Sequence, residues 1–532
     1  MLRKATHTVF NQSAPLANYN AFRTDPSLQL ALKLWGGEDY RQHQGLVDGQ
    51  GKYCGSECTI ATAECADKNQ PVLMQFDRYG RRVDVVEYNP SYHQLMLHAL
   101  RSGVSAHGFN SDLPGSQVVR AALSYMENQT EAGHSCPLTM TFSAIPALRR
   151  VPGYEDWVEK IKCQDYDPRN VPASEKRAVT IGMSMTEKQG GSDVRLNTTI
   201  ATPITPGAPA NGKEYSLTGH KWFTSAPMCD AFLTLAKLDD NAPPSCFLVP
   251  RWKPDGTRNS GFKVMRLKNK LGDHANASSE VEYDEAFGTM IGEPGKGVKT
   301  IIEMVQSTRL DCALGSAGTA RKALHLAINH TYGRLAFGHE LKDQPLMQNL
   351  LADMCVEAEA HTLTAMRLAH SYDQDKKGCA SDTESAFFRM GVAVGKYWVT
   401  KRLPNFTFEA MEVHGGNGYT EDFPLARIYR SAPLNSIWEG SGNVMCLDIL
   451  RAAPGALPAL MKELCLAKGS DSVLDVYLHD LTTFINSTLK NTALSGGISP
   501  DVQRCARELA ERLAVGLQAS LMVRFGDPKV RS

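Results

Sequence analysis

The chain has 532 residues, of which 42% are hydrophobic and 21% are charged, as in an ordinary globular protein. Because a single hydrophobic core does not grow to this size, we expect two to four domains. The formal net charge is zero, so the overall charge gives no preference for nucleic acid, an anionic membrane surface or an acidic substrate.

The 13 cysteines are scattered along the chain. Their tightest group, Cys54, Cys58 and Cys65, lacks the spacing and nearby histidines of a zinc site, and we predict no metal site. Dispersed, odd-numbered thiols are typical of a reducing compartment, and no apolar run reaches membrane-spanning length. We therefore predict a cytoplasmic protein without a membrane role. The basic start Met1–Lys4 and the acid-poor sequence that follows leave a mitochondrial transit peptide as the alternative.

Residues 1–180 are predicted to form an N-terminal helical domain, because residues 25–180 mostly carry helical periodicity. Apolar side chains recur there at steps of three and four, as in Tyr92, Leu95, Met96, Ala99 and Leu100. Glycine, proline and charged residues concentrate at 153–175, which is typical of a linker or irregular surface segment.

Residues 181–292 are predicted to form a middle β domain. Short alternating runs separated by turn residues indicate strands of an antiparallel barrel or sandwich. These runs lie at 214–217, 231–235, 246–249, 262–264 and 280–283.

The helical period returns after Gly297 and continues to the end of the chain. We predict a helical domain at 293–450 and an additional helical domain at 451–532. The expected helices cover 298–333, 345–373, 383–414, 456–467, 471–490 and 500–523. The predicted fold class is therefore α+β, mainly α.

The most informative motif is 435–443, which places one carboxylate, Glu439, between an aromatic residue and small residues. Gly440 removes the side chain where a backbone would approach a flat ligand. Trp438 and Ile437 would form a dry wall that raises the pKa of the carboxyl toward working pH. The pattern favours a proton-abstracting base, with an N-capping or turn glutamate as the alternative.

A loop at 185–193 precedes the strands and combines hydroxyls, two glycines and an acid. Such a loop can offer backbone N–H groups to a phosphate or to the electronegative edge of a ring. A plain turn before a strand is the alternative.

The run Trp222, Phe223, Thr224 lies on a predicted strand. Alternation would send Trp222 and Thr224 to one face, where they could flank a planar heterocycle with one hydrogen bond. A tryptophan of the barrel core is the alternative.

Two further motifs could serve a diphosphate. Arg334 follows a long predicted helix and could present its guanidinium, although an arginine complementing a helix dipole is the commoner case. The turn at 412–419 contains Gly415 and Gly416; its spacing is not that of a βαβ dinucleotide fingerprint. It could still bring N–H groups near a pyrophosphate, or simply cap a helix.

In their order and combination these motifs resemble the acyl-CoA dehydrogenase family over roughly residues 90–450. That family combines an N-terminal helical domain, a middle β domain and a C-terminal four-helix bundle. Its flavin loop, threonine-glutamate-proline followed by small residues and serine-aspartate, is similar to 186–193, with Lys188 in place of the proline. Trp438 replaces the family's usual tyrosine and Ser441 its usual threonine, so the pocket volume should differ.

The resemblance implies FAD as the cofactor and assigns roles to individual residues. Glu439 would be the catalytic base, and Ser192 and Arg309 would lie beside the substrate. Arg334 would reach the FAD of a neighbouring subunit. The implied cofactor-binding residues are Met185, Thr186, Gly191, Ser192, Trp222, Phe223, Thr224, Arg334, Gly415, Gly416, Trp438, Gly440, Ser441 and Asn443.

The implied reaction is α,β-dehydrogenation of an acyl-CoA thioester, with hydride transfer to flavin. The implied partners are acyl-CoA, further copies of the chain in a homotetramer, and electron-transfer flavoprotein. A second hypothesis is a flavoprotein that binds acyl groups with little turnover.

A narrower resemblance, to the alkylation-response flavoproteins of this family, also covers the segment after 451. It is carried by four segments, Thr6–Gln12, Thr139–Phe142, Met185–Asp193 and Asn435–Cys446, and it argues that the N-terminus belongs to the fold.

This narrower resemblance raises DNA binding through the C-terminal segment as a third hypothesis. Phosphate binding requires a surplus of cations, yet residues 452–532 contain nine Lys and Arg against eight Asp and Glu. Arg507 with Glu511, and Glu508 with Arg512, would also neutralise each other at helical spacing. The sequence therefore disfavours a nucleic-acid partner.

Overall fold

The computed structural model describes residues 6–149, 151–489 and 498–531. The start Met1–Lys4, on which the transit-peptide alternative depends, lies outside these residues. The expected fold class is confirmed: the chain is mainly helical, with a sheet domain between its N-terminal and C-terminal helices.

The N-terminal part consists of helices and one hairpin. Almost every residue of α7 and α8 is buried, so these helices lie in the core of this part. The hairpin is a difference from the predicted helical domain: β1 pairs antiparallel with β2. The elements are α1 (Pro26–Trp35), α2 (Gly37–Gln42), α3 (Gln44–Cys54), α4 (Glu57–Lys68), β1 (Val72–Phe76), β2 (Arg82–Glu87), α5 (Pro90–Arg101), α6 (His107–Asn110), α7 (Ser116–Glu127), α8 (Ser135–Arg149) and α9 (Glu155–Lys162).

The middle part is a seven-stranded sheet, and the five predicted runs all lie inside its strands. The strands are β3 (Ile181–Ser184), β4 (Ile200–Pro203), β5 (Glu214–Ser225), β6 (Ala231–Ala236), β7 (Ser245–Pro250), β8 (Phe262–Leu267) and β9 (Ser278–Ile291). Their order is β3-β6-β7-β9-β5-β4, with β8 paired to β9.

The sheet is not purely antiparallel, because β3 runs parallel to β6. Beyond β6, Lys237 bridges Ile200 of the edge strand β4. The sheet therefore curls back toward its own edge, as expected for a barrel-like domain.

Four long helices, α10, α11, α12 and α14, pack together as the bundle. α14 runs without interruption through the predicted boundary at 450, although the expectation was a helix beginning near 456. The elements after the sheet are α10 (Gly297–Gly333), β10 (Leu335–Ala336), β11 (His339–Glu340), α11 (Pro345–Lys376), α12 (Asp382–His414), α13 (Pro424–Ser431), α14 (Gly442–Leu464), α15 (Ser472–Leu489), α16 (Pro500–Arg504), α17 (Ala506–Phe525) and α18 (Pro528–Arg531).

The segment 442–467, which includes α14, is long and apolar enough by composition to cross a bilayer, and it is the only such helix in the described residues. α14 packs on α12 and α17, and half of its most apolar stretch is buried. A core helix of a globular protein meets the same criterion, so this helix is weak support for a membrane span.

A buried ionic network fastens the C-terminal helices to the bundle. Arg367 of α11 bonds Glu384 of α12 and Glu463 of α14, and Arg524 of α17 bonds Glu463 at 2.8 Å. Arg367 and Glu463 are almost inaccessible to solvent. Removing one of these charged groups would therefore leave its partners buried with too few counter-charges, which is destabilising.

Substituting Arg367→Met is expected to lower the apparent melting temperature and expose the C-terminal helices to protease. Removing the guanidinium leaves carboxylates buried with too few partners, a loss of about 3–5 kcal/mol. Arg504→Met, which breaks an exposed pair with Asp501, is the matched control and should change little. Equal melting of the two variants would contradict this account.

A second buried ionic group lies in the N-terminal part. His134 contacts Glu127 at 2.7 Å and Glu131 at 3.1 Å, and all three side chains are buried. Burial alone would lower the pKa of the imidazole, but hydrogen bonds to the two carboxylates outweigh it and raise the pKa to about 9. His134 is therefore charged at neutral pH.

We expect this histidine to make stability pH-dependent. Because its pKa is raised on folding, its contribution is complete below the unfolded pKa near 6.5 and is lost as pH rises through about 9. The difference in melting temperature between the wild type and His134→Gln should be largest near pH 6 and shrink toward pH 10. A constant difference across that range would contradict a charged His134.

Candidate active site

Glu439 lies on a tight turn between the 3₁₀ turn Leu434–Ser436 and α14. Its φ is +56°, a conformation that side chains other than glycine rarely adopt. Gly440 follows with φ +101°, and a Cβ there would lie 2.4 Å from Cε of Met445. The backbone conformation therefore favours glycine at 440, whereas the contact is with the flexible end of the Met445 side chain, which could shift.

The carboxylate of Glu439 accepts a hydrogen bond of 2.6 Å from Oγ1 of Thr308 on α10. The sequence reasoning missed Thr308. Its position directly before Arg309, which was predicted to line the substrate, is the signal that could have found it. The hydroxyl fixes one carboxylate oxygen and leaves the other open to accept a proton.

The predicted dry wall beside Glu439 is only partly present. Ile437, which directly follows the 3₁₀ turn, is 62% exposed and therefore does not bury the carboxyl. Trp438 is half-buried, and its Nε1 donates to Oδ1 of Asn435 at 2.8 Å. Cys312 is buried nearby, and burial raises the pKa of its thiol to about 12, so this neighbour stays neutral.

The structure brings Arg309 to the Glu439 turn, but its guanidinium is engaged by protein groups. Nε donates to the carbonyl oxygen of Glu439 at 3.1 Å, and Nη1 donates to Asp448 at 2.8 Å. Arg389 holds the same Asp448 through both carboxylate oxygens. Arg309 is thus seen to fasten the turn, and its contact with substrate stays a prediction.

The loop at 185–193 joins β3 to the following turn, and its acid is an anchor. Glu187 is buried and bonds Nζ of Lys221 at 2.9 Å, and it also accepts from the backbone and hydroxyl groups of Thr198 and Thr199. Burial opposes ionisation, but Lys221 and these hydrogen bonds outweigh it and lower the pKa of Glu187 to about 2.

The same loop lies beside strand β5. The carbonyl oxygen of Thr186 accepts from the backbone N–H of Trp222 at 2.8 Å. A Cβ at Gly191 would lie 2.4 Å from Oγ1 of Thr186, so glycine lets the loop fold over that threonine. Met185 is half-buried, and Ser192 is exposed. The structure thus brings the predicted loop and strand motifs together.

The expectation that Trp222 and Thr224 share a face is wrong. The register of β5 against β9 shifts between Lys221 and Thr224, which marks a bulge. Lys221 and Thr224 are both buried, and Oγ1 of Thr224 lies 2.5 Å from Oγ of Ser184. The bulge instead places Trp222 and Phe223 together on the outer side, where Phe223 is 51% exposed.

Cations surround the exposed aromatic pair. Nζ of Lys268 lies 3.1 Å from the centre of the Trp222 ring and 4.8 Å from that of Phe223. The same ammonium bonds Glu280 at 2.7 Å. Sequence reasoning missed Lys268, because it lies on a different segment, just after β8.

Arg334, Gly415 and Gly416 form a separate group at one end of the bundle. Arg334 ends α10 and donates to the carbonyl oxygen of Asn11 at 2.7 Å, and His330 stacks on His414 with ring centres 4.3 Å apart. A Cβ built at either glycine meets nothing within 4 Å.

This group lies far from the Glu439 turn within one chain. α10 spans about 36 Å between Arg309 and Gly333 at 1.5 Å per residue. The hairpin after α10 carries Phe337, which is 96% exposed.

Asn443 and Ser441 begin α14. Oδ1 of Asn443 accepts from Nε of Arg507 at 2.8 Å, so α17 lies against this end of the site. The predicted pairing of Arg507 with Glu511 is therefore wrong, whereas that of Arg512 with Glu508 is confirmed at 2.7 Å.

One group of metal-ligand types occurs in the described residues, namely Asp39, His43 and His107. Their atoms are already paired with each other: Asp39 contacts His107 at 2.6 Å and His43 at 3.2 Å. Ser111 also bonds the carboxylate. These contacts describe a hydrogen-bonded cluster that ties α2 to α6.

Comparisons with known proteins agree with this arrangement. Three family models match: the adaptive response protein AidB N-terminal domain at residues 11–168, the acyl-CoA dehydrogenase middle domain at 182–286, and the acyl-CoA dehydrogenase C-terminal domain at 295–453. AidB of Escherichia coli K12 is 41% identical over 477 residues, which cover 88% of this chain and 85% of that protein. Acyl-CoA dehydrogenase family member 11 of Caenorhabditis elegans is 30% identical, over 84% of this chain and 72% of its own.

Two solved structures share the whole architecture. The apo form of Bd2924 matches with a TM-score of 0.86 and 30% identity, covering 98% of this chain and all of that one. C. elegans ACDH-11 in complex with C11-CoA matches with a TM-score of 0.86 and 28% identity, covering 99% and 91%. The resemblance noted from the sequence is confirmed: the chain belongs to the acyl-CoA dehydrogenase family, and within it to the AidB-like proteins.

Proposed function

We propose that this protein is an FAD-dependent acyl-CoA dehydrogenase in which Glu439 removes the α-proton of an acyl-CoA thioester. The observation that carries the proposal is the geometry of Glu439. Its carboxylate is held by Thr308, and its backbone N–H donates to no residue in the described parts of the chain. A carbon acid needs a base and a donor to the thioester oxygen. One residue supplies both.

The neighbouring residues prepare this proton transfer. The Thr308 hydroxyl orients one carboxylate oxygen, and Trp438 excludes water from one side of the turn. Arg309, fixed by Asp448, holds the carbonyl oxygen of Glu439. The turn is therefore set before substrate arrives, which is what preorganisation requires.

The residues of the β domain fit FAD. The bulge presents Trp222 and the exposed ring of Phe223, and a Cβ at Gly190 would meet nothing within 4 Å. An exposed aromatic pair beside open backbone suits a planar cofactor. FAD supplies the hydride acceptor for the β-carbon when it is bound. The Lys268 ammonium, now over Trp222, would move from the ring or contact the edge of the cofactor.

Arg334, Gly415 and Gly416 support a homotetramer in this proposal. They lie at the opposite end of α10 from Arg309 and the Glu439 turn, so we infer that they do not serve the flavin beside Glu439 of the same chain. A neighbouring copy would bring them to the diphosphate. Electron-transfer flavoprotein is the proposed electron acceptor, and C11-CoA bound to ACDH-11 supports acyl-CoA as the ligand class.

An anaerobic titration of the FAD-loaded protein with CoA thioesters of increasing chain length tests the proposal. We expect at least one thioester to bleach the yellow flavin absorbance. Tight binding without bleaching would favour the alternative, an acyl-CoA-binding flavoprotein with little turnover. Failure to bind any thioester would contradict both.

A further inference from the structure

Three successive backbone carbonyls of the catalytic turn are held by two buried cations. Nζ of Lys396 lies 2.8 Å from the carbonyl oxygen of Trp438 and also donates to that of Gly440. Between them, the carbonyl of Glu439 accepts from Arg309 at 3.1 Å. Lys396 thus binds the carbonyls on both sides of Glu439, and Arg309 binds the carbonyl of Glu439 itself.

Lys396 has no carboxylate partner within ion-pairing distance in the described residues, and its side chain is inaccessible to solvent. Burial lowers the pKa of its ammonium. A buried cation is costly unless hydrogen bonds satisfy it. Here the satisfying groups are the carbonyls of the turn, together with the nearby carboxyl of Glu439, whose charge favours the ammonium form.

The backbone conformation of Glu439 requires stabilising contacts. Glu439 has φ +56°, and the Ile437 side chain before it is exposed. Ile437 therefore contributes little packing to the turn, and Trp438 is the partly buried apolar residue beside Glu439. A strained residue persists only where its surroundings over-determine its conformation. The carbonyl contacts from Lys396 and Arg309 supply that constraint.

We propose that Lys396 is a positioning residue that clamps the carbonyls of Trp438 and Gly440, and so aims the carboxylate and N–H of Glu439 at the substrate. The inference rests on the proposed role of Glu439 as the base. Lys396 itself touches neither substrate nor cofactor and acts through the backbone alone. Its loss should therefore slow proton abstraction while leaving the binding of acyl-CoA nearly intact.

The test compares Lys396→Met with Lys401→Met, which removes an exposed lysine from the same helix, α12. Both proteins are studied loaded with FAD. Three quantities are measured: hydrogen exchange of the peptide 434–445, affinity for an acyl-CoA, and the anaerobic rate of flavin bleaching. Hydrogen exchange and affinity do not depend on turnover, whereas bleaching does.

For Lys396→Met we expect faster exchange in 434–445 and bleaching slower by about 100-fold, the effect of a misplaced catalytic group. Affinity for acyl-CoA should stay within about threefold, so the loss appears in kcat rather than KM. Lys396→Gln keeps a hydrogen-bond donor but no charge, so its exchange and bleaching rates should lie between those of the wild type and Lys396→Met. It also serves if the methionine variant fails to fold.

Exchange and bleaching equal to those of Lys401→Met would overturn the clamp. Equal loss of FAD, affinity and rate would also overturn it, because that pattern indicates general unfolding. If the wild type never bleaches, the proposed function fails, but hydrogen exchange still tests the clamp. Faster exchange of 434–445 in Lys396→Met than in Lys401→Met would support the clamp. Equal exchange in the two variants would contradict it.

Discussion

Replacing Glu439 with glutamine is expected to abolish acyl-CoA-dependent bleaching while FAD and acyl-CoA still bind. Glutamine has the same shape and can still accept the hydrogen bond from Thr308, so the turn should keep its geometry. It cannot accept a proton from carbon. We expect the anaerobic bleaching rate to fall by about 10⁴-fold or more, the upper range for loss of a general base.

The control is Glu159→Gln, which changes an exposed carboxylate on α9, outside the proposed site. It should bleach at the wild-type rate. Undiminished bleaching by Glu439→Gln would contradict the assignment of Glu439 as the base. Loss of FAD from this variant would show that the residue has a structural role. Thr308→Val should give a smaller loss, because the carboxylate would remain but would lose its fixed orientation.

The fold was largely predictable because its elements have simple periods. Strands such as β9 alternate at two residues, and amphipathic helices such as α5 repeat at 3.6. The β1–β2 hairpin was missed because β1 leaves Val72, Met74 and Phe76 exposed, so its apolar pattern does not report burial. The start of α14 was placed too late because the glycine-rich turn at 440–442 obscures it.

The candidate site was predictable only where the chemistry is local in sequence. Glu439 and Gly440 are adjacent, and a glycine at this position indicates a backbone with positive φ. Thr308 and Lys396 lie 131 and 43 positions away by numbering, on helices whose periodicity reports only packing. The signal available for Lys396 was its position directly after the mostly apolar stretch 387–395, where a lysine is unusual. The bulge at Trp222 leaves no mark in composition at all.

Replacing Glu187 with glutamine is expected to weaken FAD binding strongly, although the residue is not assigned to the cofactor. Glu187 anchors the loop that carries Thr186, Gly191 and Ser192. The change leaves the Lys221 ammonium buried without its counter-charge, a loss of about 3–5 kcal/mol. If the loop loosens, FAD affinity should fall by about 100-fold or more, measured by fluorescence titration of the apoprotein.

Asp284→Asn is the control, since it removes an exposed pair with Lys263 in the same domain and should change affinity little. The double variant Glu187→Gln with Lys221→Met separates two explanations. It removes the stranded ammonium, so recovery of thermal stability without recovery of FAD binding would show that the loop needs the carboxylate itself. Full recovery of FAD binding would show that charge balance alone matters.

Acid provides an independent route to the same conclusion. The pKa of Glu187 is lowered to about 2 on folding, so its contribution is present above the unfolded value near 4.5 and is lost as pH falls through about 2. Wild-type protein should therefore release FAD in that acid window. Glu187→Gln, which has no carboxylate to protonate at this position, should show a flatter pH dependence of release. Parallel curves for the two proteins would mean that the anchor of the flavin loop lies elsewhere.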